Sequence, residues 1–107
     1  MAEKLRKYET LFIIHPDHVE ERESVLEKLA EIIQNDGGEI LKKDEWGLRR
    51  LAYPILKKRQ GYYIFMEFVA PAQTPPKLEQ YFRIDERVIR FIVVKLEDQY
   101  EPETLAA

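Results

Sequence analysis

The chain has 107 residues, 45% of them hydrophobic, with 17 basic and 20 acidic side chains and a net charge of −3. That length supports one domain with a single core, is short for an enzyme that must build its own deep pocket, and at this apolar content excludes disorder for the body of the chain. With no cysteine present, a disulfide framework, a thiolate zinc site and a cysteine nucleophile are all excluded, and a reducing cytoplasm is the expected location.

The polar start, Met1 to Lys7, and the short apolar run Leu11 to Ile14 are unlike a signal peptide or a membrane span, so the protein is expected to stay where it is made. Tyr8 to Ile14 predicts a strand, with Tyr8, Thr10, Phe12 and Ile14 on one face and Leu11 and Ile13 on the other. Pro16 breaks it, and Asp17 with Glu20 suits a capping box for a helix running to about Asn35. Val19, Leu26, Leu29 and Ile33 form its apolar stripe, flanked by Val25 and Ile32, and Gly37-Gly38 ends it. Glu39 to about Leu51 is a long amphipathic strand whose polar residues and nearby Pro54 favour a sheet edge. Tyr62 to Val69 is the third strand. Thr74-Pro75-Pro76 opens a second helix with Thr74 as cap, and Leu78, Tyr81, Phe82 and Ile84 supply its buried side. Val88 to Leu96 is the last strand.

The order strand–helix–strand–strand–helix–strand specifies an α+β fold of the ferredoxin-like, split βαβ kind: two helices on one face of a four-stranded antiparallel sheet. Right-handed crossovers place the first and third strands in the centre. Residues 1–96 form this single domain, and 97–107, acidic and interrupted by Pro102, are expected to be a flexible tail. One sheet face is left without helices, yet the central strands are apolar on both faces, with Glu67 the one polar side chain between Tyr62 and Val69. Periodicity does not say which face of the third strand meets the helices. Either way an apolar patch containing Leu11, Ile13 and Ile92, edged by Lys7 and Arg90, faces outward, and patches of that kind are commonly covered by a partner. A self-dimer through the sheets is the other way to cover it.

Charge is sorted along the chain. Between Lys42 and Tyr62 lie Lys42, Lys43, Arg49, Arg50, Lys57, Lys58 and Arg59 against Asp44 and Glu45, a net +5 that leaves −8 on the rest. Trp46, Tyr53 and Tyr62 stand among these cations. Cations neutralise phosphates, and aromatic rings stack on bases or guanidinium planes, so the mixture suits a nucleic-acid contact. A solvated hairpin whose Lys and Arg stems cover an edge strand is the plain alternative. No catalytic constellation is present. His15-Pro16-Asp17-His18 has no further His or Cys to complete a metal shell, Gly37, Gly38, Gly47 and Gly61 form no phosphate loop, and Ser24, Thr10 and Thr74 are explained by helix, strand and cap. Neither a metal nor a cofactor is expected.

Trp46-Gly47, Leu51-Ala52-Tyr53-Pro54-Ile55, Gly61-Tyr62, His15-Pro16 and Arg83-Ile84 ahead of Val88-Ile89-Arg90 together resemble the bacterial small-subunit ribosomal protein six family. The resemblance spans almost the whole chain, from Lys7-Tyr8-Glu9 onward. It implies a structural component of the small ribosomal subunit that binds the central domain of the small-subunit ribosomal RNA together with small-subunit ribosomal protein eighteen. Lys7, Lys57, Lys58, Arg59 and Arg90 are then the expected RNA contacts, and Trp46, Arg49, Arg50, Tyr53, Leu11, Ile13 and Ile92 the contacts to partner or RNA. Met1 to Leu5 precede the matching region, and the chain stops at Ala107 without the long acidic extension of some members. A ferredoxin-like module that dimerises through its sheets and binds a small molecule is the alternative.

Overall fold

A computed structural model describes residues 4–55 and 57–98. Strand β1 (Arg6–Ile14) leads through a 3-10 segment (Pro16–Glu21) into helix α1 (Arg22–Asn35). Strands β2 (Glu39–Ile55) and β3 (Lys58–Ala70) make a long hairpin, and helix α2 (Thr74–Ile84) and strand β4 (Val88–Glu97) follow. All strand pairs are antiparallel, in the order β2-β3-β1-β4. This is the ferredoxin-like arrangement that the element order requires, with β1 and β3 central.

Alternation decides which side chains meet the helices. Tyr8, Phe12 and Ile14 of β1 and Ile64, Met66, Phe68 and Ala70 of β3 are buried with Val25, Leu26, Leu29 and Ile33 of α1 and Leu78 and Phe82 of α2. Each large apolar side chain removed from water in this way contributes about 1.5–3 kcal/mol before conformational entropy is counted. Phe82 joins α2 to both β1 and β4, with ring centroids 5.1 Å from Phe12 and 5.0 Å from Phe91. Tyr63, Phe65 and Glu67 therefore occupy the opposite, open face, which answers the question that periodicity leaves about β3.

Local details differ from expectation at the helix starts. His15, not Asp17, caps the first helical segment: its Nδ1 accepts from the Asp17 N–H at 3.0 Å, and regular α-helix begins only at Arg22. Pro16 at the first turn and the non-helical φ/ψ of His18 keep the preceding turns 3-10. Thr74 is the first residue of α2 rather than its cap, and its hydroxyl instead donates to Asp36 Oδ2 at 2.7 Å, tying the end of α1 to the start of α2. Ile84, expected inside, is 72% exposed because it ends the helix past its last buried turn. β2 and β3 also run further toward their shared turn than expected. Of the segment expected to be a tail, 99–107 lie outside the described residues.

Candidate nucleic-acid and partner interface

Two irregularities in β2 shape the open face. Glu45 pairs with Ile64 and Gly47 with Tyr63, which leaves Trp46 as an extra residue between them. Such a bulge re-aims a side chain and needs a residue that tolerates positive φ. Gly47 has φ +87°. The indole of Trp46 consequently lies over the open face, stacked 5.9 Å from the Phe65 ring and 6.4 Å from the Tyr63 ring, with the Arg49 guanidinium 5.1 Å from its centroid. The Trp46-Gly47 dipeptide is thus an anchor and the turn that aims it.

The second irregularity lies between the Arg50–Gln60 and Ile55–Lys58 pairs, where β2 spends four intervening residues against one in β3. The surplus bows Leu51 to Pro54 out of the ladder, a position where the missing N–H of Pro54 does no harm. Leu51 is buried on the open side. It can lie there because Gly61 leaves room: a Cβ on Gly61 would stand 2.2 Å from Ile13 Cγ2 and 3.6 Å from Leu51 Cδ2. Tyr53 reaches further, placing its ring 5.1 Å from the Arg90 guanidinium on β4, the opposite edge strand. The end of the hairpin therefore arches over one end of the sheet.

Between arch and indole runs a shallow apolar groove in two connected parts. One, of about 370 Å³, is lined by Leu11, Ile13, Arg90, Phe91 and Ile92. The other, of about 220 Å³, is lined by Glu9, Leu11, Trp46, Phe65, Ile92 and Val94. Trp46, Tyr53 and Ile92 remain 41%, 53% and 55% exposed. Exposed aromatic and aliphatic area of this extent, contiguous and edged with charge, is the composition of an interface rather than of an ordinary surface.

The cations differ in how they are held. Lys58 pairs with Asp17 at 3.0 Å and depresses the pKa of that carboxyl, so it leans toward the helix-bearing side. Lys7 lies between Glu67 at 3.6 Å and Glu97 at 3.9 Å, at the end of the open face away from the arch. Lys42 and Lys43 pair with Asp44 and Glu45. Arg49, Arg50, Lys57, Arg59 and Arg90 have no ion pair among the described residues. Lys57 holds φ +66° beside the Ile55–Lys58 pair at the tip of the hairpin, a conformation that costs a non-glycine residue about 1 kcal/mol.

On the helix-bearing side Glu45 accepts from the Tyr62 hydroxyl and from Arg22 Nε, both at 2.7 Å. Those donors hold the Glu45 carboxyl below its ordinary pKa and fix the base of the hairpin to α1.

Of the residues singled out in the sequence, Trp46, Arg49, Tyr53, Arg90, Leu11, Ile13 and Ile92 come together on one face around the groove. Arg59 joins them by alternation with Gly61 and Tyr63. Arg50, paired with Gln60 and one residue from Arg49, points to the other side with Lys58, and Lys7 lies at the far end. Sequence reasoning missed Glu9, Phe65, Phe91 and Val94 as groove residues. The period-two pattern contained them, but only the register of β3 against β1 shows that Glu9 and Phe65 share a face.

A family model described as Ribosomal protein S6 matches residues 7–95. The protein named small ribosomal subunit protein bS6 from Syntrophobacter fumaroxidans is 43% identical over 104 residues, covering 96% of this chain and 71% of that protein. Its namesake from Carboxydothermus hydrogenoformans is 45% identical over 92 residues, covering 85% and 96%. The crystal structure of 30S ribosomal protein S6 from Thermotoga maritima superposes with a TM-score of 0.79 at 35% identity, over 87% of this chain and 89% of that one.

Proposed function

Because the chain belongs to the ribosomal protein S6 family, we propose that it joins the small ribosomal subunit by binding the central domain of the ribosomal RNA as a heterodimer with small-subunit ribosomal protein eighteen. The family role itself is structural and non-enzymatic, within the ribosome of the cytoplasm. The observation that supports the finer statement is the division of one surface into two chemistries. Unpaired cations gather at the arch, around Tyr53 and the hairpin turn, while the groove beside them is apolar.

Phosphates bind the first and not the second. The groove suits a protein, with Trp46 as its aromatic anchor. A chain with a net charge of −3 has a field that opposes a polyanion away from the arch, so a basic partner protein supplies the remaining attraction.

Filter binding of a central-domain RNA fragment to the heterodimer, across a salt series, tests the RNA half. Changing Lys57 and Arg59 to Ala lowers affinity and flattens the log–log salt slope by about one unit for each phosphate that is no longer neutralised. Changing Lys58, already tied to Asp17, does so less. Unchanged affinity and slope would remove the arch from the RNA interface.

A further inference from the structure

Half of the groove carries a charge that the apolar surface does not explain. Glu9 of β1 stands directly across from Glu67 of β3 in the centre of the open face. Like charges directly opposed on neighbouring strands destabilise a sheet. Glu67 has compensation from Lys7 at 3.6 Å. Glu9 has none: its neighbour on the other side is Val94, and it makes no hydrogen bond or ion pair among the described residues. Yet Glu9 is half-buried and lines the smaller part of the groove, the one charged residue beside Leu11, Trp46, Phe65, Ile92 and Val94.

We infer that this half of the groove receives an apolar side chain of the partner protein together with an adjacent arginine, whose guanidinium binds Glu9 and reaches Glu67 across the β1–β3 pair. The inference rests on the heterodimer proposed above and specifies what the partner must present. Arginine fits better than lysine. Its planar fork can engage two carboxylates at once, and its flat face can lie against the partly exposed ring of Trp46. RNA is excluded from this end, because phosphates approaching Glu9 and Glu67 are repelled. The two ends of one face are thereby sorted, cations at the arch for phosphate and carboxylates at the groove for a basic protein. The sorting also fixes the direction in which the partner lies.

The test sets folding stability against affinity. Glu9→Gln and Glu9→Lys are compared with the unmodified chain by thermal melting and by calorimetric titration with purified small-subunit ribosomal protein eighteen. Glu9→Gln removes a like-charge opposition, so the melting temperature stays the same or rises, while partner affinity falls about tenfold. Glu9→Lys makes an internal pair with Glu67, raises the melting temperature further, and weakens the partner about a hundredfold or more. Glutamate substitutions of the partner's arginines, one at a time, should find one whose impaired binding is restored by Glu9→Lys.

Unchanged affinity for Glu9→Gln, with the unmodified chain binding normally, overturns this inference and leaves the heterodimer standing. A loss of melting temperature parallel to the loss of affinity also overturns it, because Glu9 would then be structural. Absence of binding by the unmodified chain overturns both. Self-association in sedimentation that Glu9→Lys abolishes would assign the groove to a second copy of this chain instead.

Discussion

Gly61→Ala isolates the contact on which the arch is built. A Cβ at this position would lie 2.2 Å from Ile13 Cγ2, where an ordinary carbon–carbon contact needs about 3.5–4.0 Å. Ile13 belongs to a central strand paired on both sides, with Tyr63 and Arg90, so its backbone has nowhere to go. Its β-branched side chain must leave its rotamer or push Leu51 outward. The first costs about 0.5–1.5 kcal/mol, and overpacking of a tight site as a whole costs about 1–3 kcal/mol. The expected loss is therefore about 2 kcal/mol in urea unfolding at constant m. Ile13→Ala alone also destabilises, by removing the burial of a side chain that is only 6% exposed. In the double variant Gly61→Ala/Ile13→Ala the methyl added at one position enters space vacated at the other, so the two losses should fall short of additivity by about 1 kcal/mol. Strict additivity, or a Gly61→Ala variant as stable as the original, would refute the packing described for Ile13, Gly61 and Leu51.

Trp46→Ala should change stability by only about 1 kcal/mol, since the ring lies on the sheet surface outside the core and is 41% exposed, yet weaken partner binding by about 2 kcal/mol, near thirtyfold, in calorimetric titration. Gly47→Ala meets no neighbour within 4 Å, so its cost of about 1–2 kcal/mol is conformational; near-ultraviolet circular dichroism should report a re-oriented Trp46 in the folded variant. Asp85 accepts from Arg87 N and Nε at 3.0 Å, from Arg87 Nη2 at 2.8 Å and from the Tyr81 hydroxyl at 2.6 Å. Asp85→Asn should therefore cost about 2–3 kcal/mol near neutral pH. Those donors, the Arg87 guanidinium first, hold the carboxyl well below its ordinary 3.8. The stabilisation is thus complete above the unfolded pKa and is lost as pH falls toward the depressed folded one, so the gap between variant and original should close progressively as the pH is lowered below about 4.

The sheet and helices were legible because each element states its period in enough residues. Of the stripe Val19, Leu26, Leu29 and Ile33, the last three are buried in α1 together with the flanking Val25, while Val19 falls in the 3-10 segment and is only half-buried; the β1 alternation Tyr8, Thr10, Phe12, Ile14 is buried as patterned. β3 was ambiguous for a physical reason: it is apolar on both faces, because one face packs on helices and the other lines the apolar groove, so alternation carries no contrast. Register against β1 supplies it. The helix starts were misread where two polar residues compete for one role. His15 Nδ1 accepts from the Asp17 N–H and so takes the capping role expected of Asp17, and Thr74 spends its hydroxyl on Asp36. On the open face, Trp46-Gly47 was visible as a motif, but its placement follows only from the bulge, which adds a residue without leaving a mark in the hydrophobic pattern. The Glu9–Glu67 opposition could not be seen at all before the strands were paired, since the two residues are far apart in the chain and each looks like an ordinary strand glutamate.

The most direct test of the account is the affinity of a central-domain ribosomal RNA fragment for this chain, measured with and without small-subunit ribosomal protein eighteen at one salt concentration. Sharing the open face between a protein and phosphates predicts weak binding by the chain alone and binding at least about tenfold tighter with the partner present. The RNA should then tighten the heterodimer by the same factor, as linkage requires. Equally tight RNA binding by the chain alone, or a homodimer that the partner does not displace, would contradict it.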